Sequence, residues 1–155
     1  RYYAQELKKK DEELSQLFNS VDAVIYSFDF QSNKLMVSSK ISHLYGYSPD
    51  EFKKNLNLWK EVIHPEDIDK VNEIEQDLLK EKVGIKEYRI LLPNGEIKWV
   101  QKRITPIFDA NRNLIKINGI DIDITHRKRV EELLNDTQER NSQLLETSRR
   151  IRTTV

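Results

Sequence analysis

The chain has 155 residues, with 26 basic and 26 acidic side chains and no cysteine. That length fits one domain plus extensions, and balanced charge gives no net field toward nucleic acid or membrane. The missing thiol excludes disulfides, thiol catalysis and cysteine-ligated metals, and fits a reducing, cytoplasmic setting.

Hydrophobic residues make up 37%, below the roughly 45–50% (glycine included) of an average globular chain, so part of the sequence is expected to be exposed helix. No run approaches the ~18 apolar residues of a membrane span, so no direct membrane insertion is expected. Met36 is the only methionine. Both ends are expected to be cuts through longer helices, so that a membrane anchor or output domain would lie outside the sequence.

Residues 1–21 are expected to form an N-terminal signalling or capping helix. Tyr3, Leu7, Lys10, Leu14, Leu17 and Val21 follow a four-three heptad spacing, the seam of a helix pair. The same stripe suits a helix lying on its own domain, and Phe18 beside it can turn toward a core. At Asp22 the texture changes. Ala23–Phe30 and Lys34–Ser38 read as two strands joined by the turn residues Gln31, Ser32 and Asn33. Ser48-Pro49-Asp50-Glu51 spells a capping box with proline in the first turn, and Gly46 before it is expected in a conformation other residues resist.

Pro65 is expected to open a longer helix, with Glu66 and Asp67 at its positive end and Ile68, Val71, Ile74 and Leu78 on one face, ended by Gly84. Gly84–Leu92 and Ile97–Ile107 are strands around Asn94-Gly95, a hairpin signal. Leu114–Ile124 is a third strand in this group. Trp99 and Val100 point to opposite faces, one to the core and one under the N-terminal helix, and alternation does not say which. Thr125 is expected to cap a last helix, 126–155, whose seam Val130, Leu134, Thr137, Asn141, Leu144, Ser148, Ile151 and Val155 again keeps heptad spacing. Two strands, then helices, then three strands imply an α+β domain over 22–125, one antiparallel sheet with helices on one face.

Four stretches carry a family resemblance: Val24–Asp29; Leu44-Tyr45-Gly46-Tyr47-Ser48-Pro49-Asp50-Glu51-Phe52; Trp59 with Ile63-His64-Pro65-Glu66-Asp67; and Glu87-Tyr88-Arg89 through Asn94-Gly95, Trp99-Val100 and Gly119 to Asp121-Ile122-Asp123-Ile124-Thr125. In this order they resemble the PAS family, in its bacterial branch with a C-terminal PAC segment. The resemblance implies a five-stranded antiparallel sheet with helices on one face, flanked by amphipathic, coiled-coil-like helices. It implies a non-catalytic sensory or relay module of a multidomain signalling protein, first a sensor histidine kinase of a two-component system and next a diguanylate cyclase. Asp123, Ile124 and Thr125 would couple the sensor to its output helix. The family often places an arginine where this chain has Gln101, so Asp123 must use Lys98, Lys102, Arg103 or a hydrogen bond instead.

Flavin photochemistry of the family's cysteine type is excluded. The family's haem ligand is a histidine on the longer helix, and residues 66–81 contain none. His43 and His126 read as surface residues and His64 as a helix-start residue; no metal site is expected. No phosphate loop, nucleophile elbow or phosphoacceptor motif appears, so catalytic residues are not expected in this fragment. Arg149-Arg150-Ile151-Arg152 is a short charged tip, not a nucleic-acid patch.

The large, mostly apolar side chains Ile25, Leu35, Leu44, Phe52, Trp59, Ile63, Val71, Tyr88, Ile90, Ile104 and Ile117 favour a filled, ligand-free core; the alternative is a small-molecule pocket lined by them. The expected partners are a second copy, paired through Tyr3, Leu7, Leu14, Leu17, Val21, Val130, Leu134, Leu144 and Ile151, and a covalently attached output domain. A constitutive dimerisation or spacer module is the other functional reading.

Overall fold

The computed structural model describes residues 1–20 and 22–154, except the side chains of 18–20 and 154. Val21 and Val155, placed on the two seams, lie outside the described residues, as does the Phe18 side chain. The chain divides into two units, one ending at Asp123 and the other starting at Ile124.

The first unit opens with α1 (Tyr2–Ser20), followed by β1 (Val24–Asp29) and β2 (Lys34–Val37). The Asp29 carboxylate accepts the Gln31 and Ser32 amides, and Asn33 takes a left-handed φ of 58°, which closes this hairpin. Three short helices follow: α2 (Ile41–Tyr45), α3 (Pro49–Lys54) and α4 (Leu58–Glu61). Gly46 stops α2 at φ 80°. The capping box of α3 forms as expected: Ser48 Oγ accepts from the Glu51 amide, and Glu51 accepts from the Ser48 amide, both at 3.2 Å.

Pro65–Asp67 is a turn of 3-10 helix, and α5 itself runs Ile68–Leu79. Val71, Ile74 and Leu78 are buried, whereas Ile68, expected on the same face, is 48% exposed because it lies at the helix entry. Gly84 does not end α5. Glu81 takes φ 60°, and the Lys82 amide closes on the Asp77 carbonyl, a left-handed stop made without glycine. Gly84 instead starts β3, where an added Cβ would come within 2.9 Å of Ile74 Cγ2 on α5.

Strands β3 (Gly84–Leu91), β4 (Ile97–Phe108) and β5 (Leu114–Asp123) complete one antiparallel sheet of order β2-β1-β5-β4-β3. This is the expected five-stranded α+β architecture with helices at both ends. The free edge of β3 is covered by the segment before α5: Leu91 donates to the Val62 carbonyl and His64 to the Arg89 carbonyl, which shields an otherwise open strand edge. The inner face carries Val24, Tyr88, Ile90 and Val100, packed with Leu44, Tyr45, Phe52, Ile63 and Val71. Burying that apolar surface drives the layer together.

Val100 is thus the core member of the Trp99-Val100 pair. Trp99, on the other face, has the Lys70 ammonium and Arg89 guanidinium each 5.5 Å from its ring centre. Helix α1 does not lie on the domain through its seam: Tyr3, Leu7, Leu14 and Leu17 are all more than 60% exposed.

The second unit is α6, Thr125–Thr154, about 45 Å of helix at 1.5 Å per residue. Its first helical hydrogen bond runs from the Lys128 amide to the Ile124 carbonyl. Ile124 is therefore at the N-cap position, one residue before the expected cap, and Thr125 is the first helical residue. Val130, Leu134, Leu144 and Ile151 are exposed, and Thr137 turns its hydroxyl back onto the Leu133 carbonyl at 2.9 Å.

Candidate functional site: a cavity with a buried ion pair

A cavity of about 510 Å³ lies between the sheet and the helices, within the range of small-molecule sites. Its wall is mostly apolar, with six aromatic side chains, Tyr26, Phe28, Phe30, Tyr45, Phe52 and Trp59, among more numerous aliphatic ones. Leu35, Ile104 and Ile117 complete the floor on the sheet side, and Ile74 and Leu78 close it from α5. At the solvent side Lys60 of α4 pairs with Glu75 of α5, both about half-exposed.

Five of the expected lining residues, Leu35, Phe52, Trp59, Ile104 and Ile117, do face this space. Leu44, Ile63, Val71, Tyr88 and Ile90 do not; they are packed solidly into the core beside it. Ile25 is on the wrong face altogether. Val24 and Tyr26 turn inward, so by alternation Ile25 points to the outer surface, near Met36 and Ile120. Sequence reasoning missed Tyr26, Phe28, Phe30, Tyr45, Lys102 and Asp121. For β1 the available signal was its own alternation, Val24-Tyr26-Phe28, set against the buried face.

The polar part of the wall is built by strand pairing. Lys102 on β4 lies directly opposite Asp121 on β5. Both side chains are under 5% exposed, and the ammonium Nζ sits 3.0 Å from Asp121 Oδ1 and 3.1 Å from Oδ2. Nζ also donates to the Tyr26 hydroxyl at 2.7 Å and lies 4.5 Å above the Tyr26 ring. Tyr45 donates to Asp121 Oδ2 at 2.5 Å, and the Tyr88 hydroxyl is 3.3 Å from that of Tyr45. Since Tyr45 gives its proton to Asp121, Tyr88 is the donor in the Tyr88–Tyr45 contact.

The two Asp121 oxygens are unequal. Oδ2 accepts two aligned bonds. Oδ1 has the ammonium's charge nearby but no aligned hydrogen bond, and it alone is so among buried side-chain polar atoms of the described residues. Burial, and then the Asp121 charge, hold the Tyr26, Tyr45 and Tyr88 phenols well above their ordinary pKa. Burial pulls the Lys102 ammonium down against the opposing pull of Asp121.

A second polar cluster braces the start of α5. Asp67 is buried and takes the Arg89 side chain through both oxygens, Nε at 3.0 Å and Nη2 at 2.9 Å, plus the Arg89 amide at 2.7 Å. Glu66 takes Nη2 at 3.0 Å. These bonds lower the Asp67 pKa and raise that of Arg89. The sequence motifs containing Asp67 and Arg89 were both visible, but their pairing was not.

The Asp123 partners proposed from sequence are engaged elsewhere in two cases. Lys102 serves Asp121, and Lys98 donates to the His43 carbonyl at 3.0 Å. Gln101 reaches Glu87 at 3.4 Å. Asp123 is exposed and Ile124 buried. Among the described residues no cluster of His, Asp or Glu could hold a metal ion, and none of the three histidines lines the cavity. Among these residues no helix is long and apolar enough to cross a membrane.

Comparison with known proteins agrees with this architecture. The chain is 30% identical over 128 residues to a methyl sulfide methyltransferase-associated sensor of Methanosarcina acetivorans, matching 80% of this chain and 13% of that protein. It is 27% identical over 129 residues to a blue-light-activated histidine kinase of Brucella ovis, matching 81% of this chain and 25% of the kinase. The chain therefore spans a quarter or less of these relatives. A sensory box histidine kinase/response regulator structure from Burkholderia thailandensis superposes with TM-score 0.67 at 23% identity, over 83% of this chain and 97% of that one. The N-terminal domain of a diguanylate cyclase with PAS/PAC sensor from Marinobacter aquaeolei gives 0.62 at 20% identity, over 68% and 98%. The sequence pattern of the PAS fold itself matches residues 34–121, more than half of the chain, and with the sheet order and helix placement above, the chain belongs to the PAS fold family.

Proposed function

We propose that this chain is the sensory relay module of a larger signalling protein. It would bind a small molecule in the sheet–helix cavity and pass occupancy along β5 into α6. The observation that carries the reading is the position of Asp121. It lines the cavity, and the strand that bears it runs only to Asp123 before Ile124 and Thr125 open the helix. At about 3.4 Å per residue, a ligand-driven shift at Asp121 arises two residues, about 7 Å, from the exit. Asp123, Ile124 and Thr125 are the coupling residues in this reading.

The module binds and transmits; it does not turn over substrate. The relatives' names support a histidine kinase as the parent, with a diguanylate cyclase next. Such a parent would hold this module in the cytoplasm beside its output domain. The exposed leucines of α1 and α6, Leu7, Leu14, Leu134 and Leu144, support pairing with a second copy. Domain roles follow the sequence division: α1 as capping helix, 22–125 as sensor, 126–155 as output linker.

The test uses the parent protein. Asp123→Ala and Thr125→Val should leave the module folded by circular dichroism while output no longer follows the stimulus. Retained regulation in both variants defeats the relay reading and leaves a constitutive dimerisation spacer.

A further inference from the structure

We propose that Asn94 is a site of spontaneous covalent modification: its side-chain amide closes onto the Gly95 nitrogen, and the residue becomes isoaspartate or aspartate. Neither a cavity ligand nor a partner is needed for it.

The reaction balances as ammonia out and water in. The Gly95 nitrogen attacks Asn94 Cγ and sheds its proton, and the new bond closes a five-membered imide. The Cγ–Nδ2 bond breaks, and Nδ2 carries that proton away as ammonia. Water then opens the imide at either carbonyl. Opening at Cγ leaves aspartate; opening at the backbone carbonyl leaves isoaspartate, whose chain runs through Cγ. A glycine after the asparagine favours the attack, because no Cβ crowds the nitrogen and the backbone can reach the dihedrals that ring closure needs. Two of the four glycines follow an asparagine, Gly95 and Gly119.

The fold leaves the first of these pairs open to the reaction. Asn94, Gly95 and Glu96 are all exposed in the turn between β3 and β4. Gly95 takes φ 86°, and a Cβ built on it would meet nothing within 4 Å. Two hydrogen bonds hold the turn: the Gly95 amide donates to the Leu92 carbonyl, and the Glu96 amide to Asn94 Oδ1, both at 2.9 Å. The second draws the carboxamide along the Gly95 peptide and polarises its carbonyl toward attack. Rotating this peptide breaks those two bonds and uncovers no core, which is a local opening of low cost.

The second pair is locked. Asn118 and Gly119 lie in β5, the central strand, paired on both sides: Asn118 with Ser27 of β1 and Thr105 of β4, Gly119 with Tyr26 and Ile104. Gly119 is buried. Ring closure there needs β5 to leave the sheet, which is an opening of the whole fold rather than of one turn. The same dipeptide therefore serves as an internal control. The open site also has a neighbour. A Cβ on Gly46 would come within 2.7 Å of Pro93 Cδ, so the turn lies against the stop of α2, one residue after Tyr45. Isoaspartate adds a carbon to the backbone of that turn and puts a carboxylate where a neutral amide stood.

The test is ageing of the 155-residue chain at mildly alkaline pH, folded and in urea, followed by proteolysis and mass spectrometry of the peptides bearing Asn94 and Asn118. Each converted site gains the mass of exchanging NH2 for OH, and chromatography separates isoaspartate from aspartate. In the folded chain Asn94 should convert, with isoaspartate among the products, and Asn118 should be slower by about a hundredfold or more, because its opening costs the global stability. In urea the two should convert at comparable rates. An Asn94 that keeps its amide in the folded chain while the unfolded chain loses it overturns the proposal, as does equal conversion of Asn94 and Asn118 in the folded chain. Asn94→Gln, which would need a six-membered ring, should abolish the acidic species on isoelectric focusing; their accumulation at the wild-type rate would place the modification elsewhere and defeat the proposal. In the aged chain the Gly46 and Tyr45 amide resonances should shift; unchanged resonances would confine the effect to the turn and overturn its extension to α2.

Discussion

The Lys102 ammonium and the Asp121 carboxylate face each other across neighbouring strands at 3.0 Å, each side chain under 5% exposed. Two charges are here withdrawn from water at one point of the cavity wall, which carries a desolvation cost. The contact is tied into its surroundings by Tyr26, Tyr45 and, through Tyr45, Tyr88. A change in any member is therefore felt by the others.

Breaking one half of the pair should be far worse than removing both. Lys102→Met or Asp121→Leu alone leaves an uncompensated buried charge and should cost about 3–5 kcal/mol; the double variant should recover most of the loss. Urea unfolding of the four proteins gives the coupling energy. Additive losses would show that the two groups do not depend on each other.

The Asp67–Arg89 cluster makes a separate prediction with a defined pH sign. Asp67 is held below its usual pKa of 3.8, first by the Arg89 side-chain hydrogen bond. A folded-state value below the unfolded one gives stability that is present above pH 3.8 and lost as pH falls through the lower, folded value. Asp67→Asn should cost about 2–3 kcal/mol near neutral pH, the scale of hydrogen bonds to charged groups, and should flatten the acid limb of the stability curve. Equal acid limbs in both proteins would count against the assignment.

Alkaline titration tests the tyrosines. Tyr26, Tyr45 and Tyr88 are all held well above the ordinary value of 10.0 by burial and by Asp121. Stability from them is complete below pH 10 and falls as pH rises beyond it, because the unfolded chain then sheds protons that the fold retains. Lys102, held below its ordinary 10.5, has the opposite sign, and its contribution is complete once the unfolded lysine has also deprotonated. Above about pH 10.5, the three phenols should erode stability at about 4 kcal/mol per pH unit. The absorbance of three phenolates at 295 nm should then appear together with loss of circular dichroism. Phenolate absorbance from these residues while the fold is intact would refute the buried network.

Local devices were legible in the sequence because their partners are a few residues apart. The Ser48–Glu51 capping box and the Asn94-Gly95 turn needed no knowledge of the sheet, and the succession of two strands, helices and three strands along the chain followed from local patterns. Strand register was not local. Lys102 was offered to Asp123, but the β4–β5 pairing puts Val100 opposite Asp123 and Lys102 opposite Asp121. That difference of two residues kept Lys102 on the inner face and changed its partner. Ile25 shows the other kind of error. Its strand was right, but a choice of parity sends every side chain to one face or the other. The Asp67–Arg89 link, 22 residues apart, required knowing that α5 starts beside the edge strand β3.

Register also explains why Gly119 is glycine. It pairs directly with Tyr26 across β1–β5, and a Cβ built there would overlap the Tyr26 ring. The absent side chain lets the ring lie flat over β5, where its hydroxyl accepts from Lys102 at 2.7 Å and its face meets the ammonium at 4.5 Å. Gly119→Ala must push the ring away and disturb the ion pair behind it, at a cost of about 1–3 kcal/mol, the scale of overpacking. The same substitution made on a Tyr26→Ala background has no ring to displace and should cost little further. A double-mutant cycle by urea unfolding measures the difference. If Gly119→Ala costs the same with and without the Tyr26 ring, the glycine serves backbone conformation alone, and the ring's place over β5 must be held by something other than this contact.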